Sequence, residues 1–185
     1  MNTIKSQVKN SLQPEIYIAC LSAYNHGYLH GEWVDPTEGK EELLEEIARI
    51  LANSPVHKIY PGEAVEEFAL HDYSDFYEAE LGEYPDLDKV VETACFLLKH
   101  GRLGAALIGY CCSLSEAKTA IEDNYCGEYE SVEDYAYELL NDTTEIPAHL
   151  EYYIDYKAYA RDLELSGDIF TIETSFQEVH IFWRL

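Results

Sequence analysis

His26 and His30 stand four residues apart, a spacing that on a helix would aim two imidazoles at one metal ion. Gly27 and Gly31 make that stretch a poor helix, and no glutamate accompanies the pair in a zinc-protease pattern, so both histidines read as structural. Asp86 and Asp88 imitate the start of a calcium loop, but the glycine needed at loop position six and the glutamate at position twelve are absent. Helix-start carboxylates facing the positive end of a dipole explain them better. The five cysteines, Cys20, Cys95, Cys111, Cys112 and Cys126, lack metal-type spacing and sit mostly in apolar surroundings, which predicts reduced, buried thiols. Among 36 Asp and Glu some pair must be close enough for acid and base work, and that abundance strips such a pair of meaning. Catalysis needs one or two carboxylates with shifted pKa values in a cleft. No glycine-rich phosphate cradle, nucleophile elbow or cysteine-histidine signature is present. The expectation is a protein that is not an enzyme and uses no metal or cofactor.

What remains is the charge. Between Ile59 and Asp88 there are ten carboxylates and no lysine or arginine; between Thr119 and Tyr156 there are eleven, again with no basic residue. Phe68, Leu70, Phe76, Tyr77 and Leu81 in the first run, and Tyr125, Tyr135, Leu139, Leu140 and Ile154 in the second, supply material for a packed interior. These are therefore expected to be folded anionic surfaces. The negative excess behind the formal charge of -24 is spread over every part of the chain expected to fold, and 24 charges match about 12 base pairs of duplex DNA, or about 40 Å of helix. Such self-repulsion costs folding free energy, so the charge points to function, and its nearest physical counterpart is a phosphate backbone. The competing explanation is ordinary solubility or salt adaptation. Against it stand the aromatic interleaving and the missing counter-charges, because a merely soluble surface mixes both signs.

The candidate surface comprises Glu63, Glu66, Asp72, Asp75, Glu78, Glu80, Glu83, Asp86, Asp88 and Glu92 in and beside the first run. Around the second run it comprises Glu116, Glu122, Asp123, Glu128, Glu130, Glu133, Asp134, Glu138, Asp142, Glu145, Glu151 and Asp155.

The elements that must position these residues read as α+β. Residues 1–14 form a polar, weakly basic lead-in expected to be disordered. Ile16, Ile18 and Cys20 alternate as a half-buried strand, and a second extended segment ends near Trp33. Asp35, Pro36 and Glu38 form a capping signature for a helix whose stripe is Leu43, Leu44, Ile47, Ile50 and Leu51, stopping before Pro55. His57–Tyr60 and Glu66–Tyr73 read as extended. Leu87, Val90, Val91, Ala94, Leu97 and Leu98 recur at helical spacing, with Gly101 as C-cap. After a short apolar segment from Leu103 to Cys112, Ser113 with Glu116 and Ser131 with Asp134 start two more helices. Pro147 is expected to open another, running to about Leu163. The chain closes on strands at Ile169–Thr171 and Val179–Trp183. Charge and periodicity divide this into an N-terminal α+β lobe over 15–61, a mainly helical lobe over 62–103 and a C-terminal α+β lobe over 104–185. No apolar run approaches membrane-spanning length and no signal peptide is visible, so a cytoplasmic location is expected.

Ile146 Pro147 Ala148 His149 Leu150 Glu151 Tyr152 Tyr153 Ile154 Asp155 Tyr156, continuing through Ala160 Arg161 Asp162 Leu163, resembles the C-terminal signature of the ArdA antirestriction proteins. Ile16 Tyr17 Ile18 Ala19, with Tyr24 Asn25 His26 Gly27 through Gly31 Glu32 Trp33, is similar to the opening of the same family, and Glu67 Phe68 Ala69 Leu70 His71 Asp72 Tyr73 to its middle junction. The resemblance covers residues 15 to 175. It implies an elongated three-lobed homodimer that imitates bent B-form DNA and occupies the DNA channel of type I restriction-modification enzymes. It implies carriage on mobile genetic elements, no cofactor and no catalysis. For the dimer, Ala105, Ala106, Leu107, Ile108 and Tyr110 are the candidate contacts, with simple core packing as the competing role. No nucleic-acid or membrane partner is expected. The alternative function is an acidic soluble interaction protein, or a decoy for histone-like or other DNA-binding proteins, with no antirestriction role.

Overall fold

Ile16, Ile18 and Cys20 become the inward face of a central strand. The structure, a computed structural model, describes residues 13–77 and 79–184, and in it β1 (Glu15–Cys20) pairs antiparallel with both β2 (Gly31–Val34) and β3 (Phe68–Ser74). All three side chains are fully buried, and so is Pro14 just before them. Gly31 sits opposite Ala19 with no room for a side chain: an added Cβ would overlap the Ile18 carbonyl and come within 2.9 Å of the Tyr17 ring. A short turn of helix, α1 (Leu21–Asn25), joins the first two strands.

The Asp35 cap forms, with Asp35 Oδ1 accepting the Thr37 N–H at 2.8 Å, but it opens only a 3-10 turn, Pro36–Glu38. Gly39 then adopts φ 124°, outside the helical region, so α2 (Lys40–Ala52) starts after it. Leu43, Ile47 and Ile50 are buried as expected, whereas Leu44 is exposed and Leu51 partly so; the buried stripe is narrower than the one read from sequence. His57–Tyr60 is not extended. Pro55 in the helical region and the Ser54 hydroxyl, which accepts the Val56 N–H, start a turn of helix, α3 (Val56–Ile59), whose Val56 packs into a cluster with Cys20, Ala23 and Val65.

The period change after Pro85 produces α4 (Leu87–Cys111), with Val90, Ala94 and Leu97 buried and Leu98 outward. Gly101 does break the helix (φ 55°, ψ -134°), yet the chain resumes helical geometry beyond it, so the segment read as a short apolar piece is helical. Both serine caps are present. Ser113 Oγ accepts the Glu116 N–H ahead of α5 (Leu114–Asp123), and Ser131 Oγ accepts the Asp134 N–H ahead of α6 (Val132–Thr143). Between them lies β4 (Tyr125–Tyr129), which the sequence reading did not identify. The helix expected from Pro147 starts later. Asp155 Oδ1 accepts the Ala158 N–H at 2.9 Å and caps α7 (Tyr156–Ser166), while the preceding residues form turns and a 3-10 turn at Glu151–Tyr153.

β5 (Ile169–Ser175) and β4 flank β6 (Glu178–Trp183) in a second antiparallel sheet, order β4-β6-β5. As the middle strand, β6 buries His180, Ile181 and Phe182 in succession, so both of its faces are covered. Ile169 and Ile181 pack with Tyr135, Ala136, Ala160 and Leu163 of α6 and α7. The fold is α+β, with an antiparallel sheet in each half and a helical region between them in the chain. It divides into two compact units, one up to Ala105 and the other from Ala106. Among the described residues no helix is long and apolar enough to cross a membrane.

Candidate anionic surface

In the first unit, Glu63 and Glu66 lie between α3 and β3, Asp72 on β3, Asp75 in the turn after it, and Glu80 and Glu83 in the loop that follows. Asp86 precedes α4; Asp88 and Glu92 occupy its first turns. In the second unit, α5 carries Glu116, Glu122 and Asp123, β4 carries Glu128, and Glu130 follows it. Glu133, Asp134, Glu138 and Asp142 lie on α6, Glu145 after it, Glu151 in the 3-10 turn, and Asp155 at the α7 cap. Every one of these side chains is exposed. Glu78 lies outside the described residues.

Folding and exposure are compatible because the acids lie in connecting loops or on the outward faces of elements whose other faces are buried. On α6, Asp134, Glu138 and Asp142 recur every four residues along an exposed row, with buried Tyr135 at its edge and buried Ala136 on the far side. Their axial spacing is about 6 Å. Phosphates along one DNA strand fall about every 3.4 Å, so this row alone carries roughly half that charge density. Like charges at this spacing oppose helix formation by a few tenths of a kcal/mol per pair, and the Ser131 cap and the apolar face offset the cost.

The local field shows in neighbouring phenols. Burial pushes the Tyr129 hydroxyl up, and the charge of Glu138 with its hydrogen bond to that hydroxyl adds to the effect. Tyr84 is raised by desolvation and then by Glu83, and Tyr125 by burial and then by Glu128. A few members are partly satisfied. Lys40 Nζ donates to Asp88 Oδ2 at 2.6 Å, His26 Nε2 lies 3.4 Å from Glu63, and Asp86 Oδ1 accepts the Asp88 N–H at 3.0 Å, the helix-start role expected for that pair. His26 and His30 each meet a backbone carbonyl, Ser22 O at 2.8 Å and Ile50 O at 2.7 Å, and so do not face a common ion. All five thiols are free, but only Cys20 is buried; Cys95 and Cys112 are exposed, correcting the expectation of buried thiols. Position 95 falls on the outward side of α4, between buried Ala94 and Phe96.

A sequence model of the antirestriction protein family ArdA matches residues 16–178. The chain belongs to the ArdA family. No curated protein sequence matches it. ArdA proteins are non-catalytic antirestriction proteins that interact with restriction-modification enzymes.

The sequence reading left one acidic group of this ArdA protein out of the candidate set. Asp35, Glu38, Glu42, Glu45 and Glu46 line a cavity of about 350 Å³ beside Trp33 and Val34. The signal that could have found them is that Glu42, Glu45 and Glu46 fall off the apolar stripe of α2, but α2 also holds Arg49, whose guanidinium engages Glu46 and Glu32 and lowers the local charge. The candidate dimer segment is largely internal to the chain. Ala105, Leu107 and Ile108 are buried and Ala106 half-buried; Tyr110 is the exposed member, stacked on Phe170 at 4.6 Å and accepting a hydrogen bond from Arg184.

Proposed function

We propose that this ArdA protein inhibits type I restriction-modification enzymes by occupying their DNA-binding channel, its carboxylates standing in for phosphates. The observation that carries the reading is that the acids of the two runs without lysine or arginine are, wherever described, exposed, on helices and strands or in the loops that join them. A cationic channel built for phosphates exerts the same attraction on carboxylates at comparable spacing. The protein offers no base edges, so inhibition is blind to the recognition sequence of the target. The proposed active form is a cytoplasmic homodimer of three-lobed chains, whose two copies would present 48 formal charges, equivalent to about 24 base pairs. With most of the Ala105–Ile108 segment internal, Tyr110 is the member left to contribute to a contact between copies.

The test is direct. Purified protein is titrated into a type I enzyme with its DNA at several salt concentrations and without added metal. Near-stoichiometric displacement of DNA that weakens steeply with salt supports the reading, and DNA binding that persists at excess inhibitor defeats it. Displacement of DNA from unrelated DNA-binding proteins with equal potency would favour the broader decoy. Sizing across a range of concentrations determines whether the dimer exists.

A further inference from the structure

The second sheet gathers three metal-type donors from positions that the sequence separates. Glu128 on β4 and His180 on β6 are direct cross-strand partners, and Glu178 lies two residues before His180 on the same face. Their donor atoms all lie within 4.8 Å of one another. This face is opposite the one that carries Ile169 and Ile181 against α6 and α7.

This is more than a meeting of surface acids, because its centre is an imidazole only 6% exposed. Tyr125 fixes the ring from behind, its hydroxyl 2.8 Å from Nδ1, which turns Nε2 towards Glu178 Oε1 at 3.7 Å. The Thr174 hydroxyl donates to Glu178 Oε1 at 2.7 Å and lies 3.1 Å from Nε2. It reaches this position because the β5–β6 register shifts between Glu173 and Ser175. An outer partner that holds the far nitrogen of a histidine, leaving the near one aimed at a carboxylate, is the arrangement that orients metal-ligating histidines. Glu128 is exposed and Glu178 partly so, which leaves an open approach from solvent on the carboxylate side.

We propose that Glu128, Glu178 and His180 form a binding site for one divalent transition-metal ion, with Zn²⁺ the best match. One imidazole and two carboxylates suit zinc, whereas calcium and magnesium prefer all-oxygen shells. Zinc with N and O ligands at about 2.1 Å needs donor atoms about 3.4 Å apart, so the 3.7 Å between Glu178 and His180 closes with a small side-chain movement. Without metal, Tyr125 O–H donates to Nδ1, Nε2–H donates to Thr174, and Thr174 donates to Glu178. Metal entry moves the ring proton to Nδ1, where the Tyr125 oxygen accepts it, and frees the Nε2 lone pair for the ion. Two carboxylates held side by side repel each other, and the ion removes that repulsion while tying β4 to β6. The role is structural; Glu128 is shared with the candidate anionic surface, and an assay of metal binding alone tests this site separately from the DNA-mimicry reading.

The experiment uses the full chain, stripped with a chelator and dialysed. Zn²⁺ binding is followed by calorimetry and melting temperature, and Co²⁺ binding by absorption. The expected result is one equivalent bound with a rise in melting temperature, and a Co²⁺ spectrum with visible d–d bands but no thiolate charge-transfer band. Glu128→Gln and Glu178→Gln each weaken binding at least ten-fold, whereas Glu63→Gln leaves it unchanged. His180→Ala abolishes binding, and because that variant could fail to fold, the two glutamine variants carry the decision. Equal binding by the wild type and both glutamine variants overturns the site. So does a thiolate band showing that the cysteines take the metal, or only diffuse uptake that salt removes.

Discussion

Arg49 Nη2 donates to Glu32 Oε2 at 2.6 Å, tying the last turn of α2 to the middle of β2, and the same guanidinium reaches Glu46 at 2.7 Å. In a chain of charge -24, one arginine thus answers two carboxylates, Glu32 on the N-terminal sheet and Glu46 on α2. The hydrogen bond from Arg49 holds the Glu32 carboxyl below its ordinary value of 4.5. A carboxyl whose pKa is lower in the folded state contributes stability that is present above its unfolded pKa and is lost as the pH falls through the lowered folded value. The melting-temperature difference between wild type and Glu32→Gln should therefore be small and constant at neutral pH, should shrink as the pH falls below 4.5, and should vanish once it is below the lowered folded value. Both side chains are nearly half exposed, so salt should shrink the difference. A difference that grows on acidification would contradict the pairing.

Charge neutralisation should act collectively. Converting Glu130, Glu133, Glu138, Asp142, Glu145 and Glu151 together to their amides should lower inhibition of a type I enzyme by more than a hundred-fold and flatten its salt dependence. Each single change should cost no more than about five-fold, because exposed ion pairs are worth about 0.2–1 kcal/mol apiece. Circular dichroism should show the fold retained. If one of the six abolished inhibition alone, a single decisive contact would replace the distributed surface.

Gly31→Ala should destabilise the N-terminal sheet by roughly 1–3 kcal/mol, since the new methyl group must displace the Ile18 carbonyl or the Tyr17 ring. Gly62→Ala is the informative comparison. An added Cβ there meets nothing within 4 Å, but φ is 97°, so its cost is purely conformational. Urea unfolding of both variants separates steric overlap from backbone strain.

Removing the α6 cap should be felt in the second unit. Ser131→Ala deletes the acceptor for the Asp134 N–H and should cost about 1 kcal/mol, while Ser131→Asp, which keeps an acceptor, should recover most of it. Hydrogen exchange at the first turn of α6 reports the loss directly.

The parts of this fold legible in the sequence are those set by neighbours a few residues apart. Ser113 with Glu116 and Ser131 with Asp134 marked helix starts because a cap is decided within three residues, and Ile16, Ile18 and Cys20 announced their strand by alternation alone. Where two local signals competed, geometry chose. Pro147 was expected to open a helix, but the helix starts only after Asp155, whose carboxylate reaches the Ala158 N–H. Asp35 caps as expected, but the backbone turn at Gly39 ends what it began. β4 was missed because its partner lies about fifty residues away and Gly127, at φ 140°, interrupts its alternation. The anionic surface was visible as composition. The convergence of Glu128, Glu178 and His180 was not, since only the β4–β6 register brings them together.

The two sheets place their middle strands at opposite ends of the order of synthesis. β1 leaves the ribosome before either of its neighbours and can receive β2 and then β3 as they emerge, whereas β4 and β5 have no contact with each other until β6 is made. During translation the second half must therefore hold two bare edges apart, and its strand pairing closes in a single late step. A premature stop after β3 but before residue 178 would leave all three strands of the first sheet attached to a half that has no centre strand to assemble around.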